Sequence, residues 1–274
     1  MMFLKVFLLL LFALLPLGFS ETFFHWKFDL PQGVNIGNAC ISDTDSIGGI
    51  IATKKNGTSA VSSNVLYSQP APGTIGTGSL QFLNNSTSNN DGSYLNILDN
   101  NAFTNFSTLV LEAKINASTL KQSVILRKYA NADQTEGVNV NNGYWLDLRE
   151  NGSVVFHIGN SSNYVEISTG ENSIVANQWY HIRAVWDGSH AKIFLDNTLK
   201  STLAYTGTLE NTAGNLGIGA IIRQNDGSNT GQFFHGYLDE IMIGNNIVPE
   251  PATWVLLLLC LSRLLLTKWR SVLQ

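Results

Sequence analysis

Hydrophobic side chains recur at every second position along most of this chain. In residues 177–200, NQWYHIRAVWDGSHAKIFLDNTLK, the set Tyr180, Ile182, Ala184, Trp186 alternates with His181, Arg183, Val185. Beyond Asp187-Gly188, Ala191, Ile193 and Leu195 alternate with Lys192, Phe194 and Asp196. A period of two buries one face of a strand against a second layer. Asp187-Gly188 and Asp196-Asn197 carry turn chemistry, so the stretch predicts a hairpin and a second reversal after it. Residues 22–30, 78–85, 93–98, 106–115, 123–129, 143–159, 163–169, 214–220 and 233–244 also read as strands, and Asn151-Gly152 splits 143–159 with a type I′ hairpin signal. Residues 31–78 are loop-rich, broken by Pro31, Gly48-Gly49, Asn56-Gly57, Pro70 and Pro72. Helical periodicity is not sustained anywhere in the body. The pattern predicts an all-β, two-sheet antiparallel sandwich.

Two end segments break the alternation. Residues 1–20 carry one Lys, a Leu/Phe run, Pro16, and small residues at Gly18 and Ser20. That is the form of an N-terminal signal helix, with removal expected after Ser20. From Ala252 a second apolar run is interrupted by Arg263 and followed by Lys268 and Arg270. A charge at the bilayer centre costs ~3 kcal/mol, so Arg263 is expected near the cytoplasmic face, where it can snorkel. The remainder is then a short C-terminal transmembrane helix over about 252–266. The expected organisation is 1–20 signal peptide, 21–246 one sandwich domain and 247–274 membrane anchor.

Composition narrows the partners. Between Glu21 and Val248 there are 12 Lys and Arg against 19 Asp and Glu, a net of −7, with no basic stripe, which argues against nucleic acid. Cys40 is the one cysteine of the body and Cys260 lies in the tail, so no disulfide is expected within the domain.

Three stretches resemble the laminin-G-like domains of the concanavalin A-like lectin/glucanase jelly rolls. They are Trp179-Tyr180-His181 followed by Asp187-Gly188 and KIFLDN, with Asn197 where Gly is usual; FSTLVLEAKI (106–115), with Ala113 where Trp is common; and FFHGYLDEIMIG (233–244), with Phe234, Gly236, Leu238, Asp239, Glu240 and Ile241 in the closing pattern. The resemblance implies a jelly roll, and a structural calcium near the joined chain ends with Asp239 as first ligand and Asp29 as its partner. The tail VPEPATWVLLLLCLSRLLLTKWR resembles a PEP-CTERM sorting signal through Pro249, Glu250, Pro251 and the basic Arg263, Lys268 and Arg270. That implies a Gram-negative exported protein, anchored in the inner membrane until an exosortase-type membrane protease acts, then placed at the cell surface or in the extracellular matrix. The prolines also keep the box extended and accessible to a protease.

Motifs for chemistry are sparse. The glucanase box of alternating acids is absent, Asp147 and Glu150 differ in parity, and Asp239 and Glu240 are adjacent and point to opposite faces. No His-Glu-x-x-His, Gly-x-Ser-x-Gly or phosphate loop occurs. His181 is expected to be a packed structural residue, and His25, His157, His190 and His235 show no metal-ligand spacing. Tyr67, Tyr164 and Tyr205 are candidates to stack on sugar rings. The expected function is non-catalytic recognition of an extracellular polysaccharide or surface protein. The alternatives are a glycan hydrolase or lyase built from non-sequential residues, and a structural matrix protein.

Overall fold

The computed structural model describes residues 23–28, 40–41, 52–56, 65–68, 71–72, 78–84, 92–99, 103, 106–129, 142–160, 162–209, 213–223 and 230–245. The strands of the first third are β1 (Phe23–Trp26), β2 (Cys40–Ile41), β3 (Ala52–Asn56), β4 (Val65–Ser68), β5 (Ser79–Phe82) and β6 (Ser93–Ile97). The middle of the chain supplies β7 (Leu109–Ala117), β8 (Ser123–Tyr129), β9 (Gly143–Leu148), β10 (Val154–Gly159), β11 (Tyr164–Ser168), β12 (Trp179–Trp186), β13 (His190–Leu195) and β14 (Thr198–Ala204). The last four are β15 (Leu216–Ile218), β16 (Ile221–Ile222), β17 (Thr230–Gly231) and β18 (Gly236–Gly244).

The strands form the expected antiparallel two-sheet sandwich. Sheet A runs β14-β13-β12-β7-β18-β5-β4, with β1 also paired to β18; sheet B runs β11-β10-β9-β8-β15-β6-β3-β2. Strands β16 and β17 form a separate two-stranded ribbon. On β7 the inward residues Leu109, Leu111, Ala113, Ile115 and Ala117 are wholly buried, and Ile182, Ala184 and Trp186 of β12 lie beside them. Sheet B answers with Leu126, Leu146, Leu148, Val154, Phe156 and Ile158. Each such Leu or Ile contributes ~1.5–3 kcal/mol by leaving water, so the alternation itself determines which face of each strand turns inward. Ala113, in the position where the family pattern carries Trp, is a core residue in register with Ile182. The two ends of the domain meet where β1 pairs with β18, Phe23 opposite Gly244.

The central turns form as the residue types require. Gly188 has φ 86°, and Asp187 Oδ1 accepts the backbone N–H groups of Ser189 and His190 at 2.9 and 2.7 Å. Asp196 and Asn197 are both left-handed, at φ 48° and 63°, so Asn does the work of the usual Gly. The Asn151-Gly152 hairpin is present but is not type I′. Only Gly152 has positive φ, at 71°, and the Gly152 N–H donates to Arg149 O while Arg149 N–H donates to Ser153 O. That is a type I turn closed by a left-handed glycine. The signal segment, the anchor and the Pro249-Glu250-Pro251 box lie outside the described residues. Among the described residues no helix is long and apolar enough to cross a membrane.

Candidate functional site

The register of sheet B brings four side chains into one line. Arg127 of β8 is opposite Trp145 of β9, Trp145 is opposite His157 of β10, and His157 is opposite Glu166 of β11. Their neighbours Leu126, Leu146, Phe156 and Ile167 belong to the core, so alternation turns this line to the outer face of the sheet. The next line along reads Tyr129, Gly143, Gly159, Tyr164. Two glycines between two tyrosines leave room for both rings to lean toward the first line. Gly143 is also required by the backbone, since a Cβ there would lie 2.2 Å from Lys128 O at φ 103°.

The result is a continuous stack across four strands. The Arg127 guanidinium lies 3.9 Å from the Trp145 ring centroid. Trp145 stacks on His157 at 3.4 Å and 6°, and His157 on Tyr164 at 5.1 Å and 21°. One end is closed: Trp145 is 4% exposed and His157 wholly buried. The other is open, because β11 is the edge strand and Tyr164 is 47% exposed. Beside Tyr164, Glu166 accepts from His157 Nδ1 at 3.3 Å. That hydrogen bond, with the nearby positive charges, holds the Glu166 carboxyl below its ordinary range.

Asp147 is two residues from Trp145 on the same face, in line with Val124 and Val155. It is 1% exposed, and burial pushes its carboxyl up to about 6 although Arg127 and Arg149 pull it down. Arg127 Nη1 donates to Asp147 Oδ2 at 3.4 Å, and burial lowers the guanidinium in turn. Both members of the pair are therefore strained by desolvation, as buried ion pairs are.

Unpaired polar atoms gather here. Arg127 Nε, Trp145 Nε1, Asp147 Oδ1 and Asn96 Oδ1 are buried without a hydrogen-bond partner, as are Thr230 Oγ1 and Gln232 Oε1. The first four lie on this face of sheet B, where Asn96 of β6 is opposite Gly217 of β15 and Gly217 opposite Arg127. The last two belong to the segment that includes the β16–β17 ribbon, a flap over the same face. The flap is fastened by Val124 N–H to Gln232 O and Gly219 N–H to Ile125 O, and Ile222 packs against Gly217. Each unsatisfied buried group costs ~1–3 kcal/mol, so a face that collects them is suited to a hydroxyl-rich ligand or ordered water.

The residues singled out from the sequence are placed unequally. Tyr164 belongs to the stack. Tyr205 does not: it is 2% exposed, its hydroxyl donates to Asn163 O and Thr208 O, and its carbonyl accepts from Trp186 Nε1 at 3.0 Å. Tyr67 lies on β4, and its side chain is outside the described residues. His181 is a half-buried partner of Glu112 on sheet A, at 3.0 Å. Asp239 sits at a bulge of β18, where Oδ2 accepts from Ala71 N–H at 3.0 Å and Oδ1 from Glu240 N–H at 2.8 Å. Asp29 lies outside the described residues. Calcium takes six to eight oxygen ligands, and among the described residues no group of three His, Cys, Asp or Glu side chains could hold a metal ion. The stack of Arg127, Trp145 and His157 carries no motif signal, because its members come from three strands.

A family described as the concanavalin A-like lectin/glucanases superfamily matches residues 87–249, more than half of the chain. No curated protein matches the sequence. Among solved structures the fold is similar to domain 4 of AbnA, an extracellular GH43 arabinanase from Geobacillus stearothermophilus, in complex with arabinotriose. The TM-score is 0.54 and the identity 15%, over 82% of this chain and 93% of that one. It is also similar to the binding domain of botulinum neurotoxin DC in complex with SialylT, with TM-score 0.51 and 12% identity, over 82% of this chain and 50% of that one.

Proposed function

The chain belongs to the concanavalin A-like lectin/glucanase superfamily, and from that premise we propose that it is a non-catalytic module that binds an extracellular glycan on the outer face of sheet B. The observation that carries this reading is the stack ending in the open Tyr164 ring, with the Glu166 carboxylate beside it. A sugar ring lays its C–H face on Tyr164, and its hydroxyls donate to Glu166. The buried end holds the platform rigid: Tyr164 rests on His157, His157 on Trp145, and Trp145 under Arg127. The two similar structures were solved with arabinotriose and with SialylT, which supports a glycan as the ligand class.

A second reading rests on one specific observation. Asp147 is pushed up to about 6 while Glu166 is held low, the split expected of a general acid and its partner in glycan hydrolysis. They project from β9 and β11 with β10 between, so their strands are roughly 10 Å apart. That is wider than a retaining pair needs, and Asp147 is 1% exposed. Binding is therefore the preferred reading.

Export and sorting complete the proposal: residues 1–20 direct secretion, and the segment from Pro249-Glu250-Pro251 to Arg270 anchors the chain until an exosortase-type protease acts. The residues of that tail support it through their order alone. The test is a glycan array probed with the full-length chain and with Tyr164→Ala, alongside an assay for released reducing ends. The binding reading expects array signals that fall at least fivefold in the variant, with no reducing ends formed. Signals indifferent to Tyr164, or turnover that depends on Asp147, would overturn it.

A further inference from the structure

Aromatic rings are plentiful in this chain, yet nearly all of them are covered. Among the described side chains Tyr164 is the one exposed aromatic ring, while Tyr129, Trp145 and Tyr205 are buried. Trp179, Tyr180, Phe194 and Tyr237 are half-buried and belong to strands of sheet A. The stack on sheet B therefore presents a ligand with its last member only. His157 beneath Tyr164 is wholly buried, and a second sugar laid further along the stack would meet no open ring.

The edge strand gives the same answer along its own length. Glu166 is two residues beyond Tyr164 on the same side, about 7 Å at strand rise. Its side chain is 44% exposed; Oε1 takes the His157 contact, and Oε2 has no hydrogen-bond partner among the described residues. One sugar ring with its hydroxyls spans that gap. The next residue on that side, Ser168, carries no ring, and its hydroxyl accepts from Gly170 N–H at 3.4 Å. On the other side of Tyr164, Asn160 uses its amide within the loop: Nδ2 donates to Thr208 O at 3.1 Å, and Oδ1 accepts from Ser162 and Asn163 N–H. Leu98, the most exposed of the large apolar side chains described, follows β6, five strands from β11 and roughly 24 Å away.

Resting on the glycan-binding reading above, we infer that the site takes a single sugar ring, the terminal unit of a glycan chain or of a side branch. An interior ring brings a neighbour on each side, and both lose freedom on binding without gaining a stacking partner. An end ring brings only one, and leaves its C–H face free for Tyr164 and its edge hydroxyls free for Glu166. Affinity then follows the number of chain ends and not the length of the chain.

Two comparisons test this. On the glycan array, signals group by terminal sugar, so that glycans sharing an end unit bind within threefold of one another whatever lies beneath it. In solution the full-length chain is titrated with linear arabino-oligosaccharides and malto-oligosaccharides of two to six units, with linear and branched arabinan, and with amylose and glycogen. In each series that binds, Kd per mole of oligosaccharide changes less than threefold from two units to six, and the branched polymer binds at least fivefold more tightly than the linear one per mole of sugar. Array signals that follow interior sequence, a gain of threefold or more with length, or branched and linear polymers bound within fivefold of each other would each overturn the one-ring inference and leave glycan binding standing. No signal from any array glycan or polymer would overturn both.

Discussion

Replacing Asp147 by Asn removes a charge that the fold tolerates at a cost, and the structure sets the size and the pH dependence of the gain. The carboxyl is raised from 3.8 to about 6, chiefly by burial, against the pull of Arg127 and Arg149. A difference of roughly two pH units corresponds to ~3 kcal/mol between the ionised and neutral forms. Because the folded value is the higher one, the full cost is present above about 6, where both the folded and unfolded chains carry the charge. It fades as the pH falls and is gone below 3.8, where both are protonated. Asn mimics the protonated form in shape and hydrogen bonding. Asp147→Asn should therefore be more stable than the native protein by ~3 kcal/mol at pH 7.5, by ~1 kcal/mol at pH 4.5, and by almost nothing at pH 3. In a domain of this size ~3 kcal/mol raises the melting temperature by about 6–12 °C. Calorimetry or thermal melts across that range provide the assay. A gap that stays constant with pH, or a variant less stable than the native chain at pH 7.5, would refute the reasoning. The first outcome means the carboxyl is not desolvated; the second means Arg127 depends on its charge.

Two further substitutions test the frame that presents the site. A Cβ at Gly236 would lie 2.1 Å from Asn116 O at φ 142°, so Gly236→Ala should cost on the order of 3 kcal/mol or more in urea unfolding, or prevent folding. Asn197 is left-handed at φ 63°, so Asn197→Ala should cost ~1 kcal/mol in the same experiment while Asn197→Gly costs little.

The frame was legible for a local reason. Alternation over 179–195, read against Asp187-Gly188 and Asp196-Asn197, specifies which faces of β12 and β13 are buried, and Ile182, Ala184, Trp186, Ala191, Ile193 and Leu195 are all core residues. Strand identity needs only neighbours in sequence. The site needs register. Arg127, Trp145 and His157 are separated by 18 and 12 residues and meet only because β8, β9 and β10 pair as they do. Nothing in the spacing of three such residues announces a stack. Tyr164 was picked out as an aromatic suited to sugars, and the edge position of β11 supplies the exposure that makes it so. Tyr205 had the same credentials in the sequence, but it follows β14 and turns inward beneath Trp186, at 5.8 Å between rings. The type I′ expectation at Asn151-Gly152 failed because Arg149 and Ser153 close the loop one residue further out, which spares Asn151 a positive φ. Asp147 and Glu166 escaped a search for acids alternating along one strand because they lie on two strands of the same face.

Indole resonances offer the most direct check on where the ligand binds. The chain has six tryptophans, and each contributes one indole N–H signal. Trp145 lies in the sheet B stack with its N–H unpaired, while Trp179 sits on sheet A against Tyr237. When the ¹⁵N-labelled chain is titrated with a bound glycan, the account predicts that the Trp145 indole and the backbone amides of residues 159–168 shift together while Trp179 stays in place. Shifts centred on Trp179 and Tyr237, with Trp145 and the β11 edge unmoved, would contradict it.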